Sequence, residues 1–322
     1  FPYTTLFRSV SSRYYLISKY LQKEDEVFHP LFFILKKSQN HPSRFNKMQT
    51  LPFSLPNYPY SLEEIQKRIN QIINQELPFN NEEAYQTALH CIDLTTLEGS
   101  DTEQKVRELC QKAIKYNCAA VCVYPPFVAL AKECLKNSKI RVASVAGAFP
   151  AGQSPIEIKV AEVKYAVEQG ADEIDMVISR GKFLEGKFDE VYQEIVAIRK
   201  ATGKSHLKVI LETGELLTPD NIFKASYIAM KAGADFIKTS TGKIAINATY
   251  EAFIVMLDAI NQYHKEENIE IGIKPAGGIS DSAITLNYLK ILHNTLGDRW
   301  LNNSLFRIGA SRLADQLSKK MI

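Results

Sequence analysis

The chain is short of long apolar runs, of paired cysteines and of net charge. Its longest apolar patch, Leu31-Phe-Phe-Ile-Leu35, is far too short to span a bilayer, so no membrane partner is expected. The five cysteines (Cys91, Cys110, Cys118, Cys122 and Cys134) are odd in number and crowded into one stretch. They lack the short paired spacing with histidines that a zinc site needs, which points to a reduced, cytoplasmic protein without structural metal. The formal charge is only +3, and it is unevenly spread. Residues 1–47 hold eight Lys or Arg against three acids, leaving 31 basic and 33 acidic residues in the remainder. The larger part therefore has no basic footprint for nucleic acid.

The first methionine is Met48, just before the Pro-rich stretch Leu51-Pro-Phe-Ser-Leu-Pro-Asn-Tyr-Pro59. Met48 is the expected natural start, and Pro2-Tyr-Thr-Thr-Leu-Phe-Arg-Ser9 looks like translated adaptor sequence. A targeting peptide is a weak alternative, because Glu24-Asp-Glu26 interrupts the basic run. The division expected is a disordered or non-native extension over 1–47, a linker and helix over 48–87, and a catalytic domain over 88–322. Ser61-Leu-Glu-Glu64 is a capping box, and Leu62, Ile65, Ile69, Ile72 and Ile73 mark one face of the helix it opens.

Beyond that helix, short apolar strands alternate with amphipathic helices, the rhythm of repeated βα units around a parallel sheet. Strands are expected near 88–94, 120–124, 141–145, 173–177, 207–212, 236–239, 272–274 and 306–309. Helices are expected near 103–117, 126–136, 155–169, 188–201, 219–232, 249–263, 281–293 and 311–319. Two helix exits repeat one phrase, Gly170-Ala-Asp172 and Gly233-Ala-Asp235, each a C-cap glycine leading into a strand. Eight such units in this length fit an α/β fold, a (β/α)8 TIM barrel with one extra N-terminal helix.

Barrel sites lie where the strands end, so the chemistry-bearing residues sort themselves. At or just beyond the C-terminal strand ends stand Asp93 with Thr95 and Thr96, then Cys122, Asp175, Glu212 with Thr213, Lys238 and Lys274. Lys208, near the start of its strand, is expected toward the opposite face as a structural lysine. Lys238 ends a buried apolar strand, where desolvation and a neighbouring cation, for which Lys274 is the candidate, can lower its pKa toward neutrality. A solvated strand-end lysine is the ordinary alternative for either residue alone. Asp175 sits among apolar neighbours, a costly place for an acid unless it faces a cation or transfers protons. Thr239-Ser-Thr-Gly242 adds hydroxyls and a turn glycine suited to an oxygen-rich substrate. Pro275-Ala-Gly-Gly278 and Arg307-Ile-Gly-Ala-Ser311 fall after strands seven and eight, where barrels bind phosphate.

Asp93-Leu-Thr-Thr-Leu97, Cys122-Val-Tyr-Pro125, Gly170-Ala-Asp-Glu-Ile-Asp175, Leu211-Glu-Thr-Gly-Glu215, Phe236-Ile-Lys-Thr-Ser-Thr-Gly-Lys243 and Lys274-Pro-Ala-Gly-Gly278 together resemble deoxyribose-phosphate aldolase, in order along the chain. The resemblance implies a metal-free class I aldolase with no cofactor, a carbon–carbon lyase. It would cleave 2-deoxy-D-ribose 5-phosphate reversibly to D-glyceraldehyde 3-phosphate and acetaldehyde, in deoxyribonucleoside catabolism. It implies Lys238 as the Schiff-base lysine, Lys274 as the lysine that lowers its pKa, and Asp175 as the acid that works with a water in proton transfer. Asp93, Cys122 and Thr241 would support the site, and Gly242, Lys243, Gly277, Gly278, Gly309 and Ser311 would hold phosphate.

The resemblance also implies a homodimer, which no residue proves. Ala143 and Val145 are expected to leave room for acetaldehyde's methyl, and Cys122, placed at the mouth, to react with unsaturated aldehydes. Arg312 stands where relatives often have a small hydroxyl residue, and either contacts phosphate or faces solvent. Ile178-Ser-Arg-Gly-Lys-Phe-Leu184 receives no role. The competing readings are another phosphosugar lyase or isomerase on the same barrel, a non-catalytic phosphosugar-binding protein, and a nucleic-acid role for the tail.

Overall fold

The computed structural model describes residues 50–321, so the expectations for residues 1–47 lie outside the described residues. Eight parallel strands form one sheet in the order β7-β6-β5-β4-β3-β2-β1-β8. They are β1 (Ile92–Thr95), β2 (Ala120–Val123), β3 (Arg141–Ala146), β4 (Glu173–Val177), β5 (His206–Ile210), β6 (Phe236–Lys238), β7 (Gly272–Lys274) and β8 (Ile308–Ala310). Two bridges close the sheet between its seventh and eighth members, Ile273 with Phe306 and Ala276 with Gly309. The architecture is the (β/α)8 barrel that the alternating pattern predicts.

Two helices precede the first strand, α1 (Leu62–Ile73) and α2 (Asn81–His90). The barrel helices are α3 (Glu103–Tyr116), α4 (Val128–Leu135), α5 (Ile156–Glu168), α6 (Arg180–Leu184), α7 (Phe188–Thr202), α8 (Pro219–Lys231), α9 (Tyr250–Glu267), α10 (Ser282–Leu296) and α11 (Leu313–Ser318). The Ser61 capping box is formed, with the Ser61 side chain accepting from Glu64 N–H and Glu64 accepting from Ser61 N–H.

The start of the first strand departs from expectation. Residues 88–90, assigned to strand by their apolar character, end α2 instead. A second capping box, Asn80 with Glu83, starts that helix, and Ala84, Ala88 and Leu89 bury one of its faces. The strand therefore begins at Ile92. The final helix likewise begins at Leu313, leaving Ser311 in the turn before it.

Strand side chains alternate between the helix-covered outside and the barrel interior. The outside is apolar, as in Ile174, Met176, Val209 and Ile237, all buried under the helices. The interior differs from an all-aliphatic barrel filling. Its upper part holds a small apolar group, Leu97, Cys122, Ala143 and Val145, with Tyr124 and Phe149 packed against it. Beside that group lie seven buried ionisable side chains: Asp93, Glu173, Asp175, Lys208, Lys238, Lys274 and Arg307. Charges inside a barrel are tolerated only when each finds a partner, and these do.

Candidate active site

Strand register puts Lys238 beside Lys274, and Asp175 beside Lys208. The amines of Lys238 and Lys274 both donate to the same carboxylate oxygen, Asp175 Oδ2, each at 2.8 Å. Lys208 Nζ donates to the other, Oδ1, at 3.0 Å. One carboxylate thus joins three lysines. Lys274 also lies 2.6 Å from Asp93 Oδ2.

A second tier sits beneath. Arg307 donates to Asp93 Oδ1 at 2.6 Å and to Glu173 through both terminal nitrogens, at 3.1 and 2.8 Å. Lys208 donates to Glu173 as well, and Arg141 reaches Glu173 from the partly exposed base of the barrel. The tiers form one connected network in which every buried carboxylate is shared between cations.

This network sets the protonation states. Burial lowers the Lys238 pKa and Asp175 opposes it, while the neighbouring Lys274 ammonium lowers it further, leaving the amine below its ordinary value. Lys274 moves the other way: burial is outweighed by Asp175 and Asp93, which hold its proton. Asp175 is pushed up by burial but held well below the usual carboxylate range by Lys208, Lys238 and Lys274. Charge bookkeeping agrees, since three carboxylates are balanced by Lys208, Lys274 and Arg307, so a fourth interior cation at Lys238 would be in excess. Lys238 is the one lysine of the set whose pKa is lowered, and in its neutral form such an amine is a nucleophile.

Lys238 is also the lysine of this set that lines the open cleft, a space of about 430 Å³ at the C-terminal end of the barrel. The cleft is lined by Thr95 and Thr96 after β1, Thr241, Gly242 and Lys243 after β6, Gly277 and Gly278 after β7, and Gly309, Ser311 and Arg312 at and after β8. Gly277 has φ +82°, and a Cβ there would lie 2.6 Å from Asn247 Cγ. A Cβ on Gly309 would lie 2.7 Å from the Ala276 Cβ and 3.2 Å from Lys274 Cε. Glycine at 309 therefore lets the last turn approach Ala276 and the Lys274 side chain closely.

A family model described as DeoC/LacD family aldolase matches residues 87–291. The chain belongs to the DeoC/LacD aldolase family. The deoxyribose-phosphate aldolase of Homo sapiens is 47% identical to it over 253 residues, 73% of this chain and 79% of the human protein. Among solved structures, the aldolase QR15 aligns with a TM-score of 0.61 at 31% identity, over 73% of this chain and 96% of that one. The tetrameric deoxyribose phosphate aldolase of Aeropyrum pernix shares the fold, with a TM-score of 0.62 at 24% identity over 81% of this chain and 98% of its own.

In this DeoC/LacD aldolase the sequence-derived residues fall into two groups. Lys238, Thr241, Gly242, Lys243, Gly277, Gly278, Gly309, Ser311 and Arg312 meet around the cleft. Asp93, Asp175 and Lys274 lie below its floor, fully buried.

Three expectations need correction. Cys122 is not at the mouth: it is mid-strand and wholly buried, and burial with the nearby Asp175 charge pushes its thiol up to about 11. Enclosure and a raised pKa make this thiol a weak nucleophile toward reagents in bulk solvent. Asp93 likewise is not at the strand end but within β1, aimed into the barrel. Lys208 does not face away from the site, because it lies mid-strand in register with Asp175 and its amine donates to that carboxylate inside the barrel.

Sequence reasoning missed Glu173 and Arg307, the base of the network. It also gave no role to Arg180, on α6 in the unassigned segment. Arg180 lies 3.0 Å from Glu212 Oε2 and 2.9 Å from Glu215 Oε2. Glu212, buried and in the left-handed region at φ +58°, accepts from Thr241 N–H at 3.0 Å and Thr241 Oγ at 2.5 Å. A non-glycine residue holds that conformation only when its surroundings over-determine it. Here the Arg180–Glu212 pair fixes the turn that follows Lys238. The same-face spacing of Glu173 and Asp175 was a readable signal for Glu173; Arg180 left none. Among the described residues, no group of three or more His, Cys, Asp or Glu side chains could hold a metal ion.

Proposed function

We propose that the chain cleaves 2-deoxy-D-ribose 5-phosphate reversibly to D-glyceraldehyde 3-phosphate and acetaldehyde, through an imine on Lys238. The observation that carries this reading is the shared Asp175 Oδ2: two lysine amines on one carboxylate oxygen, of which Lys238 alone faces the cleft. The relatives named deoxyribose-phosphate aldolase support the substrate assignment.

In this reading the neutral Lys238 amine attacks the C1 carbonyl of the open-chain sugar, and loss of water gives an iminium. The C3 hydroxyl then gives up its proton as the C2–C3 bond breaks. The bond's electron pair moves into an enamine on Lys238, and glyceraldehyde 3-phosphate leaves. Protonation of the enamine at C2, then addition of water and collapse of the carbinolamine, releases acetaldehyde and restores the amine. Asp175, ionised beneath the amine, reaches the substrate through a water and moves these protons. Lys274 keeps its charge and so keeps Lys238 free of its own. The phosphate is received by the Gly242–Lys243, Gly277–Gly278 and Gly309–Ser311 turns, where backbone N–H groups approach an anion closely. Ala143 and Val145, both buried beside Cys122, bound the space for the acetaldehyde methyl.

The same reading takes residues 88–322 as the catalytic domain and 48–87 as its linker and N-terminal helical part. It needs no metal or cofactor, and its partners are the phosphosugar, its aldehyde products and a second copy in a homodimer. Its setting is deoxyribonucleoside catabolism in the cytoplasm, in keeping with five free thiols.

The test is mass spectrometry after treatment with 2-deoxyribose 5-phosphate and borohydride, in the parent and in Lys238→Leu. A reduced adduct on the peptide containing Lys238, absent from the variant, is expected. An adduct on Lys274 would exchange the two lysine roles, and folded protein without any adduct would move the assignment to a barrel enzyme that forms no imine.

A further inference from the structure

Glu98 stands where a carboxylate is least expected, on the wall of the cleft beside the Gly242–Lys243 turn. Its Oε1 lies 2.9 Å from Lys243 Nζ, so the lysine of the Gly242–Lys243 turn is already occupied by an internal anion. The loop that presents Glu98 is fixed. Asp101, its side chain almost wholly buried at 1% exposed, accepts from Thr96 Oγ at 2.8 Å, from Glu98 N–H at 2.9 Å and from Lys105 Nζ at 2.5 Å. Lys105 also lines the cleft, yet its amine is held by Asp101. Arg312 lines it too, so the wall carries three cations, two of them engaged by loop carboxylates.

Resting on the assignment of this cleft to a sugar phosphate, we propose that Glu98 is a specificity-determining residue: an internal competitor that substrate phosphate must displace from Lys243. The Glu98 and Lys243 side chains are 62% and 27% exposed, so their pairing is weak and exchangeable. A phosphate dianion outbids it by charge, whereas a neutral sugar or a monoanionic carboxylate does not. When phosphate leaves, Glu98 recaptures the lysine. Glu98 therefore sets a threshold on ligand charge and keeps phosphate binding readily reversible. Removing its charge takes away both the competing ion pair and a like-charge repulsion across the cleft, and should tighten phosphate binding about five-fold.

The test is a ³¹P NMR titration with inorganic phosphate at low salt, comparing the parent with Glu98→Gln, Lys243→Met and the double variant. Glu98→Gln should bind phosphate about five-fold more tightly than the parent, and the same change made in the Lys243→Met background should gain less than about two-fold. Unchanged or weaker binding by Glu98→Gln overturns the proposal. An equal gain with and without Lys243 also overturns it, because the effect would then be general charge removal. Binding by none of the four proteins would sink the phosphate assignment of the cleft itself, and the competitor role with it.

Discussion

Replacing Lys274 with methionine tests the electrostatic argument at its centre. Lys274 and Lys238 donate to one oxygen, Asp175 Oδ2, from 2.8 Å each, so their nitrogens are close neighbours. Two ammonium charges about 5 Å apart at an effective dielectric of about 20 repel by about 3 kcal/mol. That energy shifts the protonation equilibrium of Lys238 about a hundred-fold toward the neutral form. Methionine keeps most of the stem volume and removes the charge. The sign follows directly: without Lys274, Lys238 holds its proton to higher pH, while attack on a carbonyl needs the free amine. The acidic limb of the kcat/KM profile should therefore move up by about two pH values. Activity near neutral pH should fall about a hundred-fold and recover in part as pH rises. A coupled assay for glyceraldehyde 3-phosphate across pH reads this, with thermal unfolding to confirm the fold and Lys274→Arg as the charge-retaining control. If the limb of Lys274→Met stays where the parent's is, Lys274 does not act on the Lys238 proton, and the argument fails.

Asp175→Asn keeps the shape of the hub but removes its base, and turnover should fall about 10²- to 10⁴-fold in the same assay; near-parent turnover would remove Asp175 from proton transfer. Gly309→Ala should lower activity at least about ten-fold with the fold retained, because the new Cβ meets Ala276 and presses on the Lys274 stem; the contrast in stability is Gly278→Ala, whose Cβ meets no protein atom within 4 Å and whose cost to the fold is that of φ +79°, about 1 kcal/mol. Alkylation with iodoacetamide at pH 8 should reach the partly exposed Cys134 first and leave Cys122 unmodified in folded protein, because the Cys122 thiol is enclosed and titrates only near 11. Rapid labelling of Cys122 would mean that the barrel interior opens to solvent.

The barrel was legible because its signals are local. Capping residues, helix-exit glycines and apolar strand runs each act within a few positions, and eight repetitions of them specify one closed sheet. The missed boundary at residues 81–90 has the same origin read the wrong way: Ala88 and Leu89 suit a buried strand or a buried helix face equally, and only the Asn80–Glu83 cap decides between them. The cleft residues were legible for a related reason. Glycine turns and a strand-end lysine carry their position in the sequence itself.

The second tier was hidden because it is built by reach across the barrel. Arg307 joins Asp93, 214 positions away, and Lys208 on β5 meets Asp175 on β4, 33 positions away. A sequence gives the strand level of a Cα but not where a long side chain delivers its charge. The consequence is chemical as well as structural. With Lys208 and Arg307 balancing Glu173 and half of Asp93, the lysine nearest the cleft is left without a carboxylate of its own. Asp175 is already shared with Lys208 and Lys274, so Lys238 is the cation the network can best do without. The base of the barrel thus acts through its charge balance, together with burial, to make Lys238 the amine of the network whose proton is held least firmly.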